Sequence, residues 1–168
     1  MARVHGTALP TAGTPDQVRS LLVGAMIGAG LMAGVDEIVF HQVLGWHHFY
    51  DRSTSDVGLM SDGLLHAAEL VVVVAGFFLF ADLRRRGALV PRRATAGVLL
   101  GAGGFQLFDG LVNHKVLRLH QIRYEVDLLP YDLAWNVGAA WLIVLGLVVT
   151  ATGRRPTSRH RRRRDEVA

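Results

Sequence analysis

Long apolar runs separated by short polar blocks organise this chain. The first run, Leu21 to about Leu44, is broken only by Asp36, Glu37, His41 and Gln42. Leu64 to Ala81 is the second, Ala94 to about Leu117 the third, and Leu133 to Ala151 the fourth. Each is close to the ~20 residues that a helix needs to cross a hydrocarbon core of ~30 Å. Open strands could not satisfy their backbone groups in lipid, so the pattern predicts an all-α membrane protein. The expected architecture is a four-transmembrane-helix bundle with helices over about 21–44, 62–82, 94–119 and 131–151. Residues 1–20, with Pro10 and Pro15, read as a flexible leader that lacks a signal-peptide cleavage pattern. Residues 152–168 read as a basic tail.

Charge then orients the bundle. Twelve of the 18 Lys and Arg lie in two places: Arg84, Arg85, Arg86, Arg92 and Arg93 in one connection, and Arg154 to Arg164 in the tail. Both segments adjoin apolar runs, which is where the positive-inside rule acts. The N- and C-termini are therefore expected in the cytoplasm, and the 45–61 and 121–131 connections outside. The same reading removes nucleic acid as a partner. The tail's arginines are expected to meet anionic lipid headgroups of the bilayer.

The chain also resembles itself. A shift of 73 residues lays Gly24, Gly28 and Gly30 on Gly97, Gly101 and Gly103, and Asp36, His41 and His47 on Asp109, His114 and His120. Both stretches read Asp-x4-His-x5-His. A shift of 70 lays Asp62 on Asp132 and Gly76 on Gly146, while His66 meets Asn136 and Glu69 meets Ala139. Two helix pairs with the same in-out sense would be parallel repeats about an axis along the membrane normal. Glycines at four-residue spacing let helix backbones approach closely in lipid.

At 168 residues, 51% hydrophobic, the chain is one domain. It contains no cysteine, which excludes disulfides, thiolate metal sites and cysteine nucleophiles. Any metal would be held by imidazole, carboxylate, amide or water.

The polar residues of the runs gather at one depth. Asp36 falls in the outer third of the first helix with His41 above it, and Asp109 and His114 match them on the third. Asp62, His66 and Asp132 enter from the same side on the second and fourth helices, and Glu69 lies deeper. Asp62, His66 and Glu69, at i, i+4 and i+7, share one helical face. Asp36 and His41 are about 140° apart on an ideal α-helix, so a bend or an end near Gly45 is needed for them to converge. Ionised carboxylates facing lipid are costly, so these groups should face the bundle interior and find partners.

A set of His41, His66 and His114 with Asp36, Glu69, Asp109 and Asp62 would suit copper, zinc or iron, with His47, His120, Asp132 and Glu37 as further candidates. Bis-histidine haem is a lesser candidate, because nothing in the spacing favours it. Two other readings stay open: a non-catalytic assembly subunit whose polar cluster only joins helices, and a transporter of protons or a small solute. The same residues would serve an enzyme or a non-catalytic binding protein. A bundle this thin also raises a homodimer, or a respiratory-complex assembly partner, as an expectation.

The stretches Val35-Asp-Glu-Ile-Val-Phe-His-Gln-Val-Leu-Gly-Trp-His-His48, Ser61-Asp-Gly-Leu-Leu-His66 and Phe108-Asp-Gly-Leu-Val-Asn-His-Lys-Val-Leu-Arg-Leu-His-Gln-Ile122 resemble the bacterial membrane family catalogued as domain of unknown function 2243. The likeness spans about residues 20 to 151. It implies a multi-pass protein of the bacterial cytoplasmic (inner) membrane, and brings with it no cofactor or catalytic residue. Glu37 stands where the other two motifs follow Asp with Gly, adding a carboxylate.

Overall fold

Asp16 starts the first helix: its side chain accepts from the Arg19 N–H at 2.9 Å, satisfying one of the orphan donors of the first turn. Helix α1 then runs Gln17–Asp36 and passes directly into a π-helical segment, Glu37–Val43. Helix α2, Ser55–Arg85, opens on a Thr54 cap. It begins earlier than the expected 62 because the Thr54 hydroxyl accepts the Val57 N–H, capping a mixed segment from Ser55 to Ser61 that is helical before the apolar run starts. Helix α3, Pro91–Phe108, has proline in its first turn, where no N–H is needed, and continues as a second π-helical segment, Asp109–Leu117. Helix α4 is Leu129–Ala151. The computed structural model describes residues 15–152. The first 14 residues and the tail from 153 onward, with His5, His160 and the tail arginines, lie outside the described residues.

All four helices are long and apolar enough to cross a membrane. Much of their apolar surface faces outward: Phe78 is 74% exposed, and only 11% of the apolar window of α2 is buried within the chain. Acyl chains are the solvent that such a surface requires.

Packing is closest between α1 and α3, and glycine is the reason. A Cβ on Gly24 would lie 2.1 Å from the Ala94 carbonyl oxygen, and one on Gly97 2.1 Å from that of Leu21. Gly28 meets the Val98 oxygen and Gly101 the Ala25 oxygen in the same way. The two backbones therefore touch where any side chain would hold them apart.

One end of the bundle collects arginines. Ser20, fully buried, donates to the Asp16 carbonyl at 2.6 Å and accepts the Val90 N–H at 2.9 Å, tying the α2–α3 connection to the start of α1. Arg92 reaches the Val149 carbonyl of α4 at 2.7 Å. The opposite end carries both π-helical segments and the histidines.

Both π-helical segments stop in the same way. Gly45 (φ 55°) and Arg118 (φ 52°) are left-handed, and just beyond them the Trp46 and Leu119 N–H groups bond back to the Phe40 and Asn113 carbonyls, each at 2.9 Å. The chain is thereby turned so that the residues after each helix fold over the bundle end.

Candidate metal centre

The π-helical segments begin at the two aspartates. A π-helix closes its hydrogen bond at i+5, so residues five apart come round to nearly the same face. This removes the obstacle that an α-helix poses to Asp36 meeting His41. The His41 Nε2 lies 3.8 Å from Asp36 Oδ2, and the His114 Nε2 lies 3.0 Å from Asp109 Oδ2. Beyond the left-handed turns, His47 and His120 are laid back over the same spot, with His120 Nε2 3.7 Å from Asp109 Oδ1.

Four imidazoles thus form one buried cluster, with exposures of 3% for His41, 5% for His47, 1% for His114 and 2% for His120. The His41 and His47 rings are 4.5 Å apart at 69°, and those of His114 and His120 4.7 Å apart at 75°. His47 and His120 stack face to face at 4.5 Å and 8°.

Tautomers follow from the partners. His47 Nδ1 is 2.9 Å from the Ile122 carbonyl and His120 Nδ1 is 2.8 Å from that of Phe49. A carbonyl can only accept, so both Nδ1 atoms carry the proton and donate it, leaving a lone pair on each neutral Nε2. Burial, with the neighbouring His120, His41 and His114, pushes the His47 imidazolium pKa down to about 2, and burial lowers that of His120. His41 Nδ1 donates to Asp62 Oδ1 at 3.1 Å, which sets its Nε2 free in the same way. Nε2 of all four histidines is buried and makes no aligned hydrogen bond, that of His114 although Asp109 Oδ2 lies 3.0 Å away, and His114 Nδ1 makes none either.

The supporting residues are fixed in turn. Asp62 is buried; it also accepts from His48 Nδ1 at 2.6 Å and from the Phe49 N–H at 2.7 Å, so one carboxylate holds both His41 and the loop that carries His47. Glu37 Oε2 lies 2.8 Å from His41 Nδ1, close enough for charge pairing but not aligned for a hydrogen bond. Its other oxygen accepts from Gln42 at 2.8 Å. Asp109 accepts from Asn113 at 2.9 Å. Asp132 is 3.9 Å from His114 Nδ1 and pairs instead with Lys115.

His66 and Glu69 stand apart from this cluster. His66 Nδ1 donates to Glu69 Oε1 at 2.7 Å, and its side chain is 45% exposed. The pair lines a groove of about 310 Å³ between α1 and α2, with Gly30, Gly34, Ile38 and Val73.

Among the described residues, three trios of side chains offer donor atoms within 4.8 Å of one another: Asp36, His41 and His47; His47, His114 and His120; and Glu37, His41 and Asp62. His47 and His120, placed second by depth, lie at the centre, and the shared Asp-x4-His-x5-His spacing was the signal for them. The Phe49 and Ile122 carbonyls carry no side-chain signal. They occupy equivalent places two residues beyond each final histidine.

No curated protein and no solved structure matches the chain. A family profile described as "Predicted membrane protein (DUF2243)" matches residues 23–153, which takes in all four helices except the first turns of α1 and every residue of the histidine cluster. The chain belongs to that membrane-protein family.

Proposed function

We propose that this is a bacterial inner-membrane protein that binds a first-row transition metal (copper, zinc or iron) in its buried histidine cluster, for metal handling or redox chemistry. The observation that carries this reading is the set of four buried Nε2 atoms that make no aligned hydrogen bond, on His41, His47, His114 and His120. Each unmet buried polar atom costs about 1–3 kcal/mol. A cluster serving only to join helices would have both ring nitrogens bonded. Here three rings are bonded at Nδ1 and not at Nε2, and the fourth, His114, is hydrogen-bonded at neither. A histidine that donates one nitrogen to a carbonyl or carboxylate and turns the other inward is the usual arrangement of a metal ligand.

Donor chemistry supports a borderline ion. Neutral imidazole with carboxylate, and no thiolate, suits zinc, copper(II) or iron. The Asp109–His114 donor spacing of 3.0 Å falls on the edge of a coordination shell, about 3.0–3.4 Å for bonds of ~2.1 Å, and the 3.7 and 3.8 Å spacings of Asp109–His120 and Asp36–His41 lie a few tenths of an ångström beyond it.

In this reading the two Asp-x4-His-x5-His stretches are copies of one unit, and the arginine end faces the cytoplasm by the positive-inside rule. The metal would then sit at the extracytoplasmic side of the bundle. The test is uptake of Cu(II), Zn(II) and Fe(II) by detergent-purified protein, beside His41→Ala and His114→Ala. Wild type should retain metal through desalting and the variants should retain less.

A further inference from the structure

We infer that the histidine cluster is built for two metal ions, one held by Asp36, His41 and His47 and the other by Asp109, His114 and His120. This rests on the metal-binding reading above and extends it to the number of ions and the division of their ligands.

Ring orientation sets two ions apart, and distance divides the remaining ligands between them. The lone pair of an imidazole nitrogen lies in the ring plane, so two histidines that share an ion must have planes that cross about 2.1 Å beyond each nitrogen. His47 and His120 are stacked at 8° with their centroids 4.5 Å apart. Planes so nearly parallel do not cross within a bond length of either ring, so these two nitrogens point past one another at separate ions. His47 is steeply inclined to His41, at 69°, and His120 to His114, at 75°, each pair with centroids under 5 Å apart. The crosswise pairs, His41 with His120 at 73° and His47 with His114 at 82°, are as steep but 6.0 and 6.1 Å apart, so nearness joins His41 to His47 and His114 to His120.

The carboxylates divide in the same way. Asp36 shares a trio with His41 and His47. Asp109 turns one oxygen to His114 at 3.0 Å and the other to His120 at 3.7 Å. The trio within 4.8 Å that includes His114 and His120 has His47 rather than Asp109 as its third member, but it contains the two parallel rings, and spacing alone does not make lone pairs converge. Glu37 and Asp62 lie on the Nδ1 side of His41, where they hold the ring.

Each half is thus a two-histidine, one-carboxylate set, a donor combination that leaves coordination positions open on zinc or iron. Two such ions, each on the Nε2 side of one ring of the stacked pair, would present those open positions side by side. A pair of this kind can hold a bridging or chelating oxygen ligand between two Lewis acids.

The experiment is a titration of chelator-treated protein in detergent with Zn(II) and separately with Cu(II). Bound metal per chain is measured after desalting, and paramagnetic resonance spectra are recorded of the copper form. Two ions per chain and a magnetically coupled copper spectrum are expected. His41→Gln and His114→Gln should each bind one ion, and the coupling should vanish in both. One ion per folded wild-type chain, or two magnetically isolated coppers, overturns the two-ion centre while leaving metal binding intact. A folded wild type that binds none overturns both. The wild-type stoichiometry and spectrum decide the matter even where a variant fails to fold.

Discussion

His47 and His120 lie face to face, 4.5 Å between centroids, and each gives its Nδ1 proton to the backbone of the loop that carries the other. His47 is held by Ile122, two residues past His120, and His120 by Phe49, two residues past His47. The exchange locks the two loops together and leaves both Nε2 atoms without a hydrogen bond, that of His120 3.7 Å from Asp109 Oδ1. Everything proposed for the chain depends on that clasp.

The helix contact beneath it should be intolerant of a single methyl. Gly24→Ala and Gly97→Ala place Cβ 2.1 Å from a carbonyl oxygen, so the backbones must part. Each is expected to cost about 1–3 kcal/mol. Gly63→Ala, on α2 with nothing within 4 Å of its Cβ, should instead stabilise by roughly 0.5–1 kcal/mol. Thermal unfolding in detergent gives the comparison, and equal effects at Gly24 and Gly63 would contradict the close approach.

The two left-handed turns carry different residues. Gly45 takes φ 55° without penalty, whereas Arg118 takes φ 52° with a Cβ that disfavours it. Arg118→Gly should raise stability by about 0.5–1 kcal/mol, and Gly45→Ala should lower it by about 1–2 kcal/mol. Melting temperatures that move in opposite directions are the expected result.

Removing His66 should separate stability from metal. Glu69 is buried and bonds to His66 through Oε1, so His66→Ala strips a buried carboxylate of that partner and should cost about 1–3 kcal/mol. Metal content per folded chain should be unchanged, since the pair stands outside the clustered rings. Loss of metal in this variant would draw His66 into the site.

The fold was legible from spacing, and the centre only partly so. Four apolar runs, the interlocking glycines and the recurrence of Asp36, His41 and His47 at Asp109, His114 and His120 are all visible in the chain. The convergence of Asp36 with His41 was not, because α-helical periodicity puts them on different faces and nothing in the composition announces a π-helix. Depth reckoning likewise put His47 and His120 at the interface, whereas the left-handed Gly45 and Arg118 fold them back into the bundle. His66 showed the converse. Its i, i+4, i+7 stripe with Asp62 and Glu69 is real, yet Asp62 turns to His41 while His66 turns to Glu69.

Sidedness can be read with introduced thiols, because the chain has no cysteine of its own. Ser53→Cys lies in the exposed loop at the histidine end and Arg84→Cys at the arginine end. In intact cells a membrane-impermeant maleimide should label Cys at position 53 and reach position 84 only after lysis. The reverse pattern would place the histidine end in the cytoplasm.

Elemental analysis of the purified protein bears most directly on the central claim. Protein from cells grown with copper, zinc and iron, with an optical spectrum taken beside it, should carry stoichiometric metal. His47→Ala and His120→Ala should each lose at least half of it while remaining folded. A folded wild type that is free of metal, and takes up none when titrated with any of the three, would contradict the account.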